Sequence, residues 1–68
     1  MSALKDQVGG SHYKDFAIQP TEFIYHNNIN FLRGNVIKYV VRNKNGAEDI
    51  HKAIHYCKMI LELEYGEK

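Results

Sequence analysis

The apolar positions between residues 30 and 43 repeat with the period of a helix. Five of them follow the spacing of a single buried stripe: Leu32, Val36, Ile37, Val40 and Val41. The β-branched run over 36–41 also suits a strand, but the polar residues within it do not alternate as they would on a half-buried strand. The pattern therefore predicts a helix that begins with Asn30 as its N-cap and runs to about Asn43.

A longer apolar stripe follows the polar turn at 44–46 and predicts a helix that runs to about Glu64. Its main members are Ile50, Ala53, Ile54, Cys57, Ile60 and Leu61. Three further residues widen this stripe beyond what one short partner helix can cover: Tyr56, Met59 and Leu63. Cys57 is expected to belong to the core, and residues 65–68 to form a frayed end.

The start of this helix carries the signals of an N-terminus. Asn45 and Glu48 have the spacing of a capping box, and Asp49 adds negative charge to the first turn. Asp49 would also suit a cross-hairpin pair with a cation of the preceding helix, or the role of a base or magnesium ligand. These roles of Asp49 stay open at this point.

The first part of the chain shows no clear period, and Gly9-Gly10 interrupts any helix there. Pro20 suits a first helical position. We therefore expect a short helix at about 20–27, with Phe23 and Ile24 facing inward, that stops at 27–28.

The predicted fold is all-α. It consists of a short helix and a two-helix antiparallel hairpin, together residues 20–65, preceded by an extended N-terminal arm at 1–19. With 68 residues, such a domain buries only about 60% of its unfolded surface. Its single cysteine excludes an internal disulfide, and no Cys/His cluster indicates a structural zinc. Self-association remains as a source of stability, so we expect a homo-oligomer.

The charge balance limits the classes of partner. Nine Lys and Arg against eight Asp and Glu give a net charge of +1, which provides no general basic field for duplex nucleic acid. No apolar run approaches the roughly 20 residues of a membrane span, and the N-terminus lacks the apolar stretch of a secretion signal. A lone thiol fits a reducing compartment. We therefore expect a cytoplasmic protein that contacts neither duplex nucleic acid nor a membrane.

The candidate chemistry lies mainly on the helix over 30–43. Asn35, Lys38 and Arg42 fall at i, i+3 and i+7, and Tyr39 lies beside them. An amide, an ammonium and a guanidinium on one face suit a phosphate or a nucleotide. The alternative is an ordinary solvated face, which is the usual environment of Lys and Arg.

The arm supplies a second candidate. The backbone N–H groups of Gly9 and Gly10 can approach an anion closely, and His12 and Tyr13 could bond or stack on a base. No P-loop motif is present, and a flexible arm without a ligand is the alternative. His51 and His55 have a metal-compatible spacing, but residue 52 is Lys, so a solvated or subunit-facing pair is favoured.

Four blocks of sequence also carry a resemblance to a known family. They are Val8-Gly9-Gly10-Ser11-His12-Tyr13, the segment 18–24, the segment 34–42 and the segment 46–56. In this order they resemble a small tailed-phage protein family of long-unknown function that is often labelled nucleotide kinase. That label comes from a longer coliphage protein, a deoxynucleoside monophosphate kinase without a P-loop, which contains a similar segment. The resemblance covers about residues 8–63.

The resemblance implies a nucleotide-binding protein, with a kinase site between subunits, in the cytoplasm of an infected host cell. The matching polar positions are His12, Tyr13, Asn35, Lys38, Tyr39, Arg42, Asp49 and Lys52. In phosphoryl transfer from ATP with Mg²⁺ to a deoxynucleoside monophosphate, Lys38, Arg42 and Lys52 would neutralise phosphate oxygens. His12 or Tyr13 would contact the base or sugar, and Asn35 would orient a phosphate. We expect no tightly bound cofactor.

Two alternatives to the kinase remain. A non-catalytic oligomeric module would sequester a nucleotide-derived signal through the same residues. A host-protein inhibitor would instead use the exposed apolar part of the helix over 46–64.

Overall fold

The computed structural model describes residues 16–42 and 44–68, and the regular secondary structure in these ranges is entirely helical. Helix α1 spans Pro20–His26, α2 spans Phe31–Arg42 and α3 spans Ala47–Tyr65. The long helices α2 and α3 pack against each other as an antiparallel hairpin, and α1 lies against α2. The predicted all-α hairpin with a preceding short helix is confirmed. Most of the predicted arm, residues 1–15, lies outside the described residues. None of the described helices is both long enough and apolar enough to span a bilayer.

Helix α1 begins at Pro20 and ends at the predicted stop. Asn28 adopts a left-handed conformation with a φ of 54°. Its N–H donates to the carbonyl of Tyr25 at 3.1 Å, and the N–H of Ile29 donates to the carbonyl of Ile24 at 3.0 Å. This pair of bonds is the Schellman ending, which satisfies carbonyls that the helix leaves free.

Of the two α1 residues expected to face inward, only Ile24 does so. Its side chain is half-buried against Gly34 of α2. Phe23 is 45% exposed, so its predicted inward position is wrong. Gly34 is the point of close approach between the two helices, and α1 therefore contacts α2 chiefly along the side that carries Ile24.

The predicted N-cap of α2 is confirmed. The side-chain Oδ1 of Asn30 accepts the N–H of Arg33 at 3.0 Å. Arg33 then pairs with Glu64 at 2.9 Å and donates to the Tyr65 hydroxyl at 3.3 Å. These contacts join the first turn of α2 to the last turn of α3.

The C-terminal end of α3 is more ordered than the expected frayed segment. The helix continues through Tyr65 and ends at Gly66, whose φ is 69°. The N–H of Gly66 donates to the carbonyl of Glu62, and the N–H of Glu67 to that of Leu61, both at 3.0 Å. The expectation of fraying from residue 65 is therefore wrong.

The predicted capping box at the start of α3 is also wrong. The N-cap is Gly46, and no side chain caps the helix there. Asp49 instead reaches back from the first turn, and its Oδ2 accepts the backbone N–H groups of Lys44 and Asn45, both at 2.8 Å. One carboxylate thus holds the turn that the Asn45 and Glu48 side chains were expected to hold.

The core uses only part of the predicted stripe of α3, namely Ala53 and Ile60. The buried apolar side chains of the described residues are Ala53 and Ile60. Ile50, Ile54 and Leu61 are 42–47% exposed, and Cys57 is exposed as well, so its predicted place in the core is wrong. The face that packs on α2 carries Asp49, Ala53, Tyr56 and Ile60, because an ion pair and aromatic rings occupy the helix interface.

Replacing Gly34 by Val should destabilise the fold. A Cβ at this position would lie 3.1 Å from Cγ2 of Ile24, and the γ carbons of Val would add to the crowding. We expect the free energy of unfolding to fall by about 1–3 kcal/mol, measured by circular dichroism during denaturation. Combining it with Ile24→Ala should cost less than the sum of the two single changes. If the changes in the free energy of unfolding caused by the two substitutions simply add, the contact between Gly34 and Ile24 does not limit the approach of α1 to α2.

Candidate functional site

Tyr39 lies at the centre of a group of cations. The Cζ atom of Arg42 lies 5.0 Å from the centroid of the Tyr39 ring, and the Nζ atoms of Lys38 and Lys52 each lie 5.4 Å from it. Two of these cations come from α2 and the third comes from α3. All lie within the range of a cation–π interaction. The hairpin therefore brings three positive charges to one half-buried aromatic ring.

A row of aromatic rings continues from Tyr39 along the interface between α2 and α3. Tyr39 stacks on Tyr56 with a centroid distance of 5.8 Å and an interplanar angle of 13°. Phe31 meets the Tyr56 ring edge-to-face at 6.5 Å and 81°. Such pairs add to the stabilisation from simple burial. Phe31 is itself largely exposed, so the row runs from the cations to a solvent-facing ring.

The ion pair between Arg42 and Asp49 anchors the group of cations. Nη2 of Arg42 lies 3.2 Å from Oδ1 of Asp49, and the two side chains are 15% and 1% exposed. The pKa of Asp49 is lowered by the hydrogen bond from the backbone N–H of Asn45, and further by that of Lys44 and by the nearby cations Arg42 and Lys52. Desolvation opposes this shift, but the carboxyl group remains ionised at neutral pH.

This arrangement confirms the predicted cross-hairpin pair of Asp49 and gives it a second role that was expected of Asn45 and Glu48. It holds the turn at 44–45 through Oδ2 and pairs with Arg42 across the hairpin through Oδ1. Because it is buried beneath Arg42, it positions the guanidinium and lacks the access that a base or a magnesium ligand requires. The buried Nε of Arg42 has no hydrogen-bond partner among residues 16–42 and 44–68. Arg42 therefore retains an unsatisfied donor.

Five of the predicted site residues meet in this cluster: Lys38, Tyr39, Arg42, Asp49 and Lys52. We call these five residues the Tyr39 cluster. Asn35 lies about one turn before Tyr39 on α2 and is half-buried. The predicted arm residues Gly9, Gly10, His12 and Tyr13 lie outside the described residues. Sequence reasoning assigned Tyr56 only to the apolar stripe. Its position against Tyr39 depends on how α3 packs on α2, which no local signal in the sequence gives.

His51 and His55, whose spacing suits a metal, are both exposed. In the described part of the chain, no group of three or more His, Cys, Asp or Glu side chains is placed to hold a metal ion. His55 instead contacts the edge of the Tyr56 ring at a centroid distance of 6.3 Å. The pair therefore lies beside the aromatic row.

A family model described as a protein of unknown function, DUF3310, matches residues 8–58. The chain belongs to the DUF3310 family. The matched span includes the whole Tyr39 cluster, Tyr56 and the segment 8–13 that carries the predicted arm residues. Comparison with curated proteins and with solved structures finds no match. The family description assigns no activity.

Replacing Asp49 by Asn should change how the stability of this DUF3310 protein depends on pH. The pKa of Asp49 is lower in the folded state than its ordinary value of 3.8. The ionised carboxylate therefore stabilises the fold above pH 3.8, and this contribution is lost as the pH falls through the folded-state pKa. We expect Asp49→Asn to melt at a lower temperature than the native protein at neutral pH.

The difference between the two proteins should shrink as the pH falls below 3.8 and through the lower folded-state pKa of Asp49. Glu48→Gln, at the exposed neighbouring position, is the control for general loss of negative charge. Equal melting curves for Asp49→Asn and Glu48→Gln at every pH would contradict a special role for Asp49.

Proposed function

We propose that this DUF3310 protein binds a nucleotide or a nucleotide-derived molecule through the Tyr39 cluster. The observation that carries the proposal is the convergence of Lys38, Arg42 and Lys52 on one ring. Three cations so close together repel one another, and Asp49 offsets only one of their charges. A bound phosphate would remove this repulsion and accept hydrogen bonds from all three groups.

The placement of the lysines favours this proposal over an ordinary solvated face. The side chains of Lys38 and Lys52 are half-buried, and their ammonium groups lie over Tyr39. Within the described residues, neither forms an ion pair with a carboxylate, although Glu48 precedes Lys52 by four positions. Both ammonium groups therefore remain available to an anion.

The aromatic row supports a nucleotide rather than a simple phosphate. Tyr56 and Phe31 extend from the cations toward solvent, and aromatic side chains provide surfaces on which bases stack. A ligand with a planar base at one end and phosphates at the other would match this order of rings and charges. The resemblance to a nucleotide-kinase family adds to the argument. In this proposal, His12 and Tyr13 of the arm also contact the base or sugar.

One form of the proposal is catalytic. The protein would transfer the terminal phosphoryl group of ATP, with Mg²⁺, to a phosphate oxygen of a deoxynucleoside monophosphate, which releases ADP and a diphosphate. Lys38 and Arg42 would stabilise the developing charge. Two nucleotides need more enclosure than one hairpin provides, so this form requires a site between subunits. The setting would be the cytoplasm of a phage-infected cell.

The second form is sequestration of the nucleotide without turnover. Among the described residues, the carboxylate that pairs with a cation of the cluster is Asp49, which contacts Arg42. It is buried and accepts two backbone N–H groups. The described part of the cluster therefore contributes charge and stacking surface but no accessible base. This observation favours an oligomeric binding module as the alternative to the kinase.

Single replacements of Lys38 and Lys52 by Gln should weaken ATP binding by about tenfold or more, because each removes a charge-assisted contact. Isothermal titration calorimetry with ATP and with inorganic triphosphate would separate the base contribution from the phosphate contribution. Lys58→Gln, on an exposed part of the same helix as Lys52, is the matched control. Arg42 is unsuitable because its removal leaves the buried Asp49 unpaired.

Equal weakening by Lys58→Gln would show a general charge effect and would contradict a defined site. Unchanged affinity in the Lys38 and Lys52 variants would remove the Tyr39 cluster from the proposed function.

Incubation of the protein with ATP, Mg²⁺ and a pool of deoxynucleoside monophosphates should distinguish the two forms. Chromatography of the bound and free fractions is the measurement. Diphosphates in molar excess over protein would support the kinase. An unchanged nucleotide retained by the protein would support sequestration. Neither product nor retained nucleotide would count against nucleotide binding altogether.

A further inference from the structure

An apolar stripe runs along α3 without a partner in the hairpin. Ile50, Ile54, Cys57 and Leu61 follow one another at intervals of four, three and four residues, and all four are exposed. This alternation is the seam pattern by which helices pack against further helices. The stripe therefore has the spacing of a contact surface for another helix.

The stripe continues across the hairpin into two shallow apolar grooves. The first has a volume of about 340 Å³ and lies between α2 and α3, where it is lined by Ile29, Arg33, Val36, Ile37, Cys57 and Ile60. The second has a volume of about 250 Å³ and is lined by Phe16, Ile18, Pro20, Phe23, Ile37 and Val41. Because both grooves share Ile37, the apolar surface extends from α3 across α2 to α1. We call this surface the apolar face.

The apolar face and the Tyr39 cluster lie on opposite sides of the hairpin. On α3, Ile50 precedes Lys52 by two positions, which is a rotation of about 200° around the helix. On α2, Ile37 precedes Tyr39 by the same interval. A partner on the apolar face would therefore leave the cations uncovered.

The described residues of one chain bury little apolar surface. Among the described residues, only Ala53 and Ile60 are buried apolar side chains. The single cysteine of the chain cannot form an internal disulfide, and the described residues provide no metal cluster. A second copy of the chain carries the same exposed apolar residues and gains from covering them in the same way. We propose that the apolar face packs against the same face of a second copy and completes the core between two hairpins.

The size and charge of the face fit this partner. Side by side, helices of 7, 12 and 19 residues, each about 10 Å wide, cover at most about 570 Å² per protomer, or about 1,100 Å² in a symmetric pair. A symmetric pair therefore reaches the roughly 1,000 Å² of a specific interface only if the contact uses the whole face, including α1. Lys58 and Glu62 flank Leu61 with opposite charges, and a net charge of +1 gives little repulsion between copies.

Sedimentation velocity over a range of protein concentrations tests the proposal. The native protein should have a mass of at least twice 7.9 kDa at micromolar concentration. Leu61→Glu should weaken association by about a hundredfold or more, because it buries an unpaired carboxylate in an apolar interface. Leu63→Glu is the matched control, since Leu63 is 75% exposed and lies about 200° around α3 from Leu61. This control should associate like the native protein.

The native chain provides a second measurement if Leu61→Glu fails to fold. Cys57 lies within the apolar face, and the chain contains no other thiol. The rate of its reaction with an aromatic disulfide reagent should increase on dilution, as the partner dissociates. A single-chain mass at all concentrations would overturn the proposal and favour a different protein, such as a host target, on this face. A concentration-independent thiol rate would also overturn it, as would equal dissociation of the Leu61→Glu and Leu63→Glu variants.

The self-association proposal does not depend on nucleotide binding. The lysine variants described above alter the Tyr39 cluster and leave the apolar face intact. A lysine variant that loses ATP binding but keeps the mass of the native assembly would therefore bear on the proposed function alone. A monomeric native protein that still binds ATP would overturn only the present proposal.

Discussion

The carboxylate of Asp49 links the parts of this small fold. One of its oxygens accepts two backbone N–H groups of the turn, and the other faces Arg42 at the end of α2. The position of Asp49 in the first turn of α3 also suits the helix dipole. A single buried residue thus determines how the chain reverses direction, where α3 begins and where the Arg42 guanidinium lies. The cations around Tyr39 depend on that geometry, since Lys52 follows Asp49 by less than one turn.

This anchor divides the hairpin into two unlike sides. Aromatic rings and cations occupy one side of the contact between α2 and α3, and aliphatic side chains occupy the other. The interface between the helices is consequently filled by tyrosines and an ion pair more than by aliphatic groups. Aliphatic residues that a larger protein would bury remain on the surface of this hairpin. The division also lets ligand binding and self-association be proposed for separate surfaces of the same short helices.

Local chemistry explains which features the sequence predicted. Asn30 and Asn28 act through hydrogen bonds to backbone groups only a few residues away, so their roles follow from the sequence alone. The cation spacing on α2 also follows from helical geometry. The rotation of α3 about its own axis does not follow from the sequence, because hydrophobicity alone ranks Ile50 and Ile54 above Tyr56 as core residues. The stacking of Tyr56 on Tyr39 and the demand of Asp49 for a partner decide that rotation, and both depend on the opposite helix.

The ion pairs at the two ends of the hairpin differ in their exposure to solvent. At the turn, the Arg42–Asp49 pair is shielded from water, whereas at the open end the Arg33–Glu64 pair is substantially exposed. Exposed ion pairs contribute little and are weakened by salt. Thermal opening should therefore begin where α3 ends and progress toward the turn. The last turn of α3, beyond the buried Ile60, would separate from α2 first, while the Tyr39 cluster near the turn keeps its shape.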